Sequence, residues 1–183
     1  MADYTAIDDP SAYFQSKIYS GTGNSLALTF DGNSNMQPDW LWFKRRDGSA
    51  NHHAYDSVRG VQKALVPNDT DSETTGSQEG TLYFSSFDSD GFTLAGGGYN
   101  NSNKNNQTYV AWGWKETATA GFDIVTWAGN AAEGRNISHS LSAVPHVMIV
   151  KNLSASVKWV VYHHKNTTAP GTDYLRLDTT DAT

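Results

Sequence analysis

The sequence contains no cysteine. That absence excludes a disulfide framework and a thiolate metal site. No apolar stretch approaches the roughly 20 residues that cross a bilayer as a helix, so no membrane insertion is expected. No basic run or basic amphipathic segment occurs, and a formal charge of −6 leaves no electrostatic footprint for nucleic acid. The opening residues, Met1 to Thr5, have neither the basic nor the apolar region of a signal peptide. Catalytic signatures are missing too. There is no Gly-x-Ser-x-Gly elbow and no phosphate-binding Gly-Lys-Ser/Thr loop. The four glutamates, Glu73, Glu79, Glu116 and Glu133, form no placed pair of the kind that glycoside hydrolysis needs. Neither an enzyme nor a cofactor is expected.

What is present is aromatic and turn-rich. Aromatics make up 12% of the chain, and glycine, asparagine, serine and threonine are abundant. That mixture suits short strands joined by polar turns. Leu26–Phe30 alternates apolar with small or polar residues. Trp40–Phe43 and Val147–Val150 are short apolar runs bounded by turns, the pattern of buried strands. Phe87 and Phe92 flank Asp88–Ser89–Asp90–Gly91, which reads as two strands around a turn. Thr108–Lys115 alternates, placing Trp112 and Trp114 on one face. No segment sustains a helical period. The predicted fold class is all-β, with β-sandwich or jelly-roll-like units in tandem.

The tandem reading comes from an internal repeat. Phe14 to Gly21 and Phe122 to Gly129 are each seven positions; Lys44 to Tyr55 and Lys151 to Tyr162 are each eleven. Pro38 and Pro145 precede equivalent apolar runs, so the copies are offset by 107 or 108 residues. Only the first copy has the following block, Phe87–Lys115. The expected organisation is an arm at 1–12, a first β-sandwich repeat at 13–117 and a second, truncated repeat at 118–183, the ordered start of a longer protein.

Few residues point to a site. The Gly/Asn-rich stretch 96–107 carries Tyr99, Asn100 and Asn101, candidates for ligand contact. Tyr4, Ile7, Asp8 and Asp9 are candidates for docking by the arm. Asp88 and Asp90 resemble the start of a calcium loop, but Tyr99 stands where that loop needs a bidentate glutamate, so a turn is favoured. His52–His53 and His163–His164 recur between copies, yet neighbours on a strand point to opposite faces and cannot chelate together. No metal ligand is assigned. Trp40, Trp42, Trp112 and Trp114, at period two within strands, are assigned to the core.

Several motifs together resemble repeat proteins of marine tailed bacteriophages. They are Tyr4–Pro10 followed by Tyr13–Phe14–Gln15, Phe30–Asn33, Asp56–Gly60, Phe87–Leu94, Tyr109–Trp112, Gly121–Thr126 and Trp159–His163. The chain departs from that pattern at Gly113, where the family often has cysteine, and at His139–Ser142, where it often reads His-Gly-Leu-Gly. The resemblance implies virion components built from tandem β domains, often tail-fibre-like, and no catalytic residues. The expected function is therefore structural: the particle-proximal part of a tail fibre or appendage, assembled in the host cytoplasm and resident in the virion. Its expected partners are other virion proteins and itself, as a homotrimer. The alternatives are a carbohydrate-binding module for a host surface glycan and a capsid-decorating head fibre.

Overall fold

The computed structural model describes residues 7–75 and 83–179. The chain is all-β and sandwich-like. A four-stranded antiparallel sheet is built from β1 (Phe14–Ser20), β3 (Trp40–Arg45), β4 (His53–Asp56) and β9 (Thr108–Trp114), in the order β1-β9-β3-β4. Against it lies a sheet of β2 (Leu26–Leu28), β8 (Gly91–Leu94) and β7 (Phe84–Asp88), in the order β2-β8-β7. Two short pairs complete the described strands: β5 (Lys63–Ala64) with β6 (Thr74–Thr75), and β10 (Val147–Val150) with β11 (Val160–His163).

The core lies between the two larger sheets. Tyr19, Leu41, Phe43, Tyr55, Tyr109 and Ala111 meet Phe84, Phe92 and Leu94, with Phe30 and Met36 joining from connecting segments. The aromatic rings meet at edges and offsets, as ring quadrupoles favour: Phe43 and Phe92 lie 5.3 Å apart edge-on. The last strand in sequence of this sandwich is central in space. β9 pairs along its length with β1 and with β3, tying the far end of the first copy to its beginning.

The four tryptophans lie outside the core between the sheets, contrary to the expectation. Trp40, Trp42, Trp112 and Trp114 do share one face, with Trp40 opposite Trp114 and Trp42 opposite Trp112. That face is the outer one, where all four are half-buried. The inward positions of the same strands are Leu41, Phe43, Tyr109, Ala111 and Gly113. The reason is space. A Cβ at Gly113 would fall 2.7 Å from the Phe30 ring and 3.2 Å from Pro38, so the segment under β9 tolerates only the smallest residue there. The small residues of β9 face in because the crowded side of the sheet demands them.

The repeat is visible in the hairpins. β3 pairs with β4 with Trp40 opposite Asp56 and Phe43 opposite His53. β10 pairs with β11 with Val147 opposite His163 and Val150 opposite Val160, the same register displaced by 107 residues. The match continues around the turn. Lys44 donates to the Ala50 carbonyl at 2.8 Å, and Lys151 to the Val157 carbonyl at 2.7 Å. In both copies the outer strand is bridged by a leucine: Ala54 with Leu65, Val161 with Leu175.

The copies differ in what surrounds the hairpin. Val147–Val150 is not the buried strand its composition suggests: all four side chains are exposed, from 37% to 50%. The opening of the second copy, Phe122–Gly129, forms no strand, although its counterpart is β1. The physical reason is one missing partner type. In the first copy both β1 and β3 lean on β9, and among the described residues no strand takes that place in the second copy. The second hairpin instead packs on the first copy, through Trp159 beside Ala54 and Leu65.

Candidate functional site

The stretch 96–107 is a hydrogen-bonded plug rather than a free loop. Buried Asn103 donates to the carbonyls of Asn24 (2.7 Å) and Ala95 (3.0 Å) and accepts from the Thr22 amide. Tyr19 and Tyr109, rising from β1 and β9, reach the carbonyls of Ser102 (2.8 Å) and Asn100 (2.9 Å). An Asn-rich sequence folds this way because each side-chain amide offers donors and an acceptor to backbone groups that lack a ladder.

Of the predicted contact residues Tyr99, Asn100 and Asn101, the first and last converge on one histidine, and Asn100 is turned to Arg45. His53 is buried on β4. Its Nε2 lies 2.8 Å from Asn101 Nδ2 and 3.1 Å from the Tyr99 hydroxyl. An amide nitrogen can only donate, so Nε2 accepts and the neutral ring carries its proton on Nδ1. Burial pushes the His53 pKa down to about 4, and the nearby His52 adds to the effect. Tyr83 stacks on Tyr99 from the other side. Asn100 is held by Arg45 at 2.8 Å. All three half-buried side chains are thus engaged within the molecule.

The candidate arm is divided. Tyr4 lies outside the described residues. Asp8 is exposed, whereas Asp9 caps the short 3₁₀ turn Pro10–Ala12, accepting from the amide and hydroxyl of Ser11 (2.9 and 2.7 Å) and from the Ser34 hydroxyl (2.6 Å). These bonds, Ser34 foremost, hold the Asp9 carboxyl below its usual range. Gln15 fastens the same turn, donating to the carbonyls of Ser11 and Ser34, both at 2.9 Å. Ile7 lines a groove of about 350 Å³ with Tyr13, Phe14, Trp114 and Phe122.

The other candidates are engaged by bonds within the fold. Asp88 accepts from Ser86 (2.6 Å) and Thr93 (2.7 Å), and Asp90 accepts from the Met36 amide (3.2 Å). Gly91 follows with φ +110°, where any Cβ would collide with the Leu28 carbonyl, 2.0 Å away. Trp42 donates to His52 at 2.8 Å. His164 stacks on His146 at 3.9 Å. Among the described residues no group of three or more His, Asp or Glu is arranged to hold a metal ion.

Residues 9–183 match the family model described as a domain of unknown function, DUF7483. The chain belongs to the DUF7483 family. No curated protein and no solved structure matches it.

Sequence reasoning missed one feature of this DUF7483 chain. Glu116 and Asp123 meet across the Thr117–Phe122 bridge that joins the copies. Burial raises the Glu116 pKa and its hydrogen bond with Asp123 adds to it; the same bond, first among the causes, lowers that of Asp123. Direct bonding leaves no gap for a sugar or a water, unlike the ~5 Å or more that separate glycosidase carboxylates. Their spacing in sequence, seven apart across a Gly-containing junction, gave no signal.

Proposed function

We propose that this chain is a structural repeat module of a bacteriophage virion: the particle-proximal part of a tail fibre or related appendage that takes part in host attachment. The observation that supports it best is the repeated hairpin, identical in register at an offset of 107 residues. Tandem units of that kind stack into arrays, and each covers surface that its neighbour leaves open. The motif-level resemblance to phage repeat proteins supplies the biological setting. The chemistry fits a structural role as well, since the polar groups that converge in the fold bond to one another.

In this reading the arm docks on other virion proteins and the module assembles as a homotrimer in the host cytoplasm. Residues 1–8 are the part of the arm to delete, because Asp9 and Ser11 belong to the bonded corner around Gln15 and Ser34. Two measurements test the proposal: mass photometry of the purified protein, and mass spectrometry of particles made with the 1–8 deletion. A trimer, and particles that lack the deleted chain, are expected. A stable monomer with normal incorporation overturns the reading.

A second reading, carbohydrate recognition, is favoured by one observation. Trp42 and Trp112 are paired on the outer face, not sealed in the core, with Lys44 on the same strand and the bonded pair Asn51 and Asn68 near His52. Indole faces and amides are the groups that hold sugar rings. Glycan-array binding that disappears in Trp112→Ala, and survives alanine at Tyr99, Asn100 and Asn101, would place the ligand on that face. Loss with the loop variant alone would return it to 96–107.

A further inference from the structure

The open edge of β10 has a counterpart whose occupant is known. In the first copy, Arg46 donates to the Thr108 carbonyl at 2.8 Å. Bonded positions alternate along an antiparallel ladder, so Trp40, Trp42 and Lys44 turn their backbone groups to β9. In the second copy, His164 donates to the His146 carbonyl at 2.9 Å. His146, Met148 and Val150 therefore bond to β11, and the backbone groups of Val147 and Ile149 point to the other edge. Those two residues are the equivalents of Trp40 and Trp42. Among the described residues no strand pairs with that edge. Within its four apolar residues the strand has no charge, proline or bulge to guard that edge.

We infer that the free edge of β10 is a docking site for an extended segment with the alternation of Thr108–Trp114, contributed by a neighbouring polypeptide that carries the same repeat. The partner adds antiparallel beside Val147–Val150, as β9 does beside Trp40–Phe43, and its main chain takes the amides and carbonyls of Val147 and Ile149. The donor is not the Thr108–Trp114 of another folded copy, because that strand is engaged along both of its edges. Exposure of Val147, Met148, Ile149 and Val150 on both faces marks the surface that such a strand begins to cover. The inference does not depend on the virion reading, and its test involves no particle.

The probe is a synthetic peptide with the sequence of residues 107–115, added to the full chain. Saturable binding is expected by calorimetry, with new hydrogen-exchange protection at the amides of Val147 and Ile149 and none with a scrambled peptide. Ile149→Pro removes an edge-facing amide while sparing the β10–β11 ladder, and it should weaken binding by about ten-fold or more. Should that variant unfold, Val147→Lys, which places a charge beside the same edge, serves in its stead and should weaken binding likewise. Failure of the peptide to bind, or equal binding to a folded edge variant, overturns the inference. So does a dimer whose edge amides are already protected without peptide, since β10 would then pair with itself.

Discussion

Trp159, from the second copy, donates its indole N–H to the Val66 carbonyl of the first copy at 3.2 Å and to the Asp69 carbonyl at 3.0 Å. It is 2% exposed, packed beside Ala54 and Leu65, and Lys151 reaches the Thr70 carbonyl close by. A segment without a core of its own is held by the copy before it. Trp159→Ala should cost about 3–5 kcal/mol, and Trp159→Phe, which keeps most of the buried area but loses both bonds, less. Chemical denaturation of both variants checks this. A neutral Trp159→Ala would mean that the hairpin adds nothing to the stability of the first copy.

The two equivalent apolar runs should respond differently to truncation. Phe43 is fully buried between the sheets, whereas Ile149 is 49% exposed. Phe43→Ala should cost about 3–5 kcal/mol, and Ile149→Ala less than about 1 kcal/mol. Equal costs, read from denaturation midpoints, would show that Ile149 is buried in solution.

Buried His53 makes stability depend on pH. Its pKa is lowered from 6.5 to about 4 by burial. Above pH 6.5 both the native and the unfolded chain hold it neutral. Between 6.5 and 4 only the unfolded chain takes the proton, so its contribution falls as the solution is acidified, by about 3 kcal/mol in total. Melting temperatures across that interval should decline for the wild type and flatten for His53→Asn. An unchanged slope in the variant would assign the loss to other groups.

A buried ion pair supports the turn after β4. Arg59 bonds Asp56 at 2.5 Å and Glu73 at 3.0 Å, with Asp56 1% and Arg59 6% exposed in their side chains. Asp56→Ala would leave the guanidinium buried beside a single carboxylate, and about 3–5 kcal/mol should be lost. Replacing both Asp56 and Arg59 by apolar residues should cost less than the single change. A double-mutant cycle followed by thermal melts decides it.

Much of this molecule is legible in the residues themselves. Short apolar runs between turn clusters mark β3 and β10, alternation marks β9, and Asp88–Ser89–Asp90–Gly91 marks the β7–β8 hairpin. The 107-residue offset, read from Pro38 and Pro145, survives as hairpin register down to the bonds of Lys44 and Lys151. These features are local: period, turn chemistry and spacing carry them. The loop 96–107 was less legible, because its order comes from residues distant in sequence, such as Tyr19 and His53, that meet it only in the fold.

Composition, period and spacing mark the chain as β, as repeated, and mark which residues of each strand share a face. Packing between distant segments settled which face turns inward. The alternation of β9 is the same whether Trp112 and Trp114 or Ala111 and Gly113 lie inside, and the choice falls to what approaches from above, here Phe30, Met36 and Pro38 against Gly113. It also decided that Val147–Val150 stays exposed. A strand is buried by its neighbours, and a run of apolar residues cannot encode whether those neighbours are present.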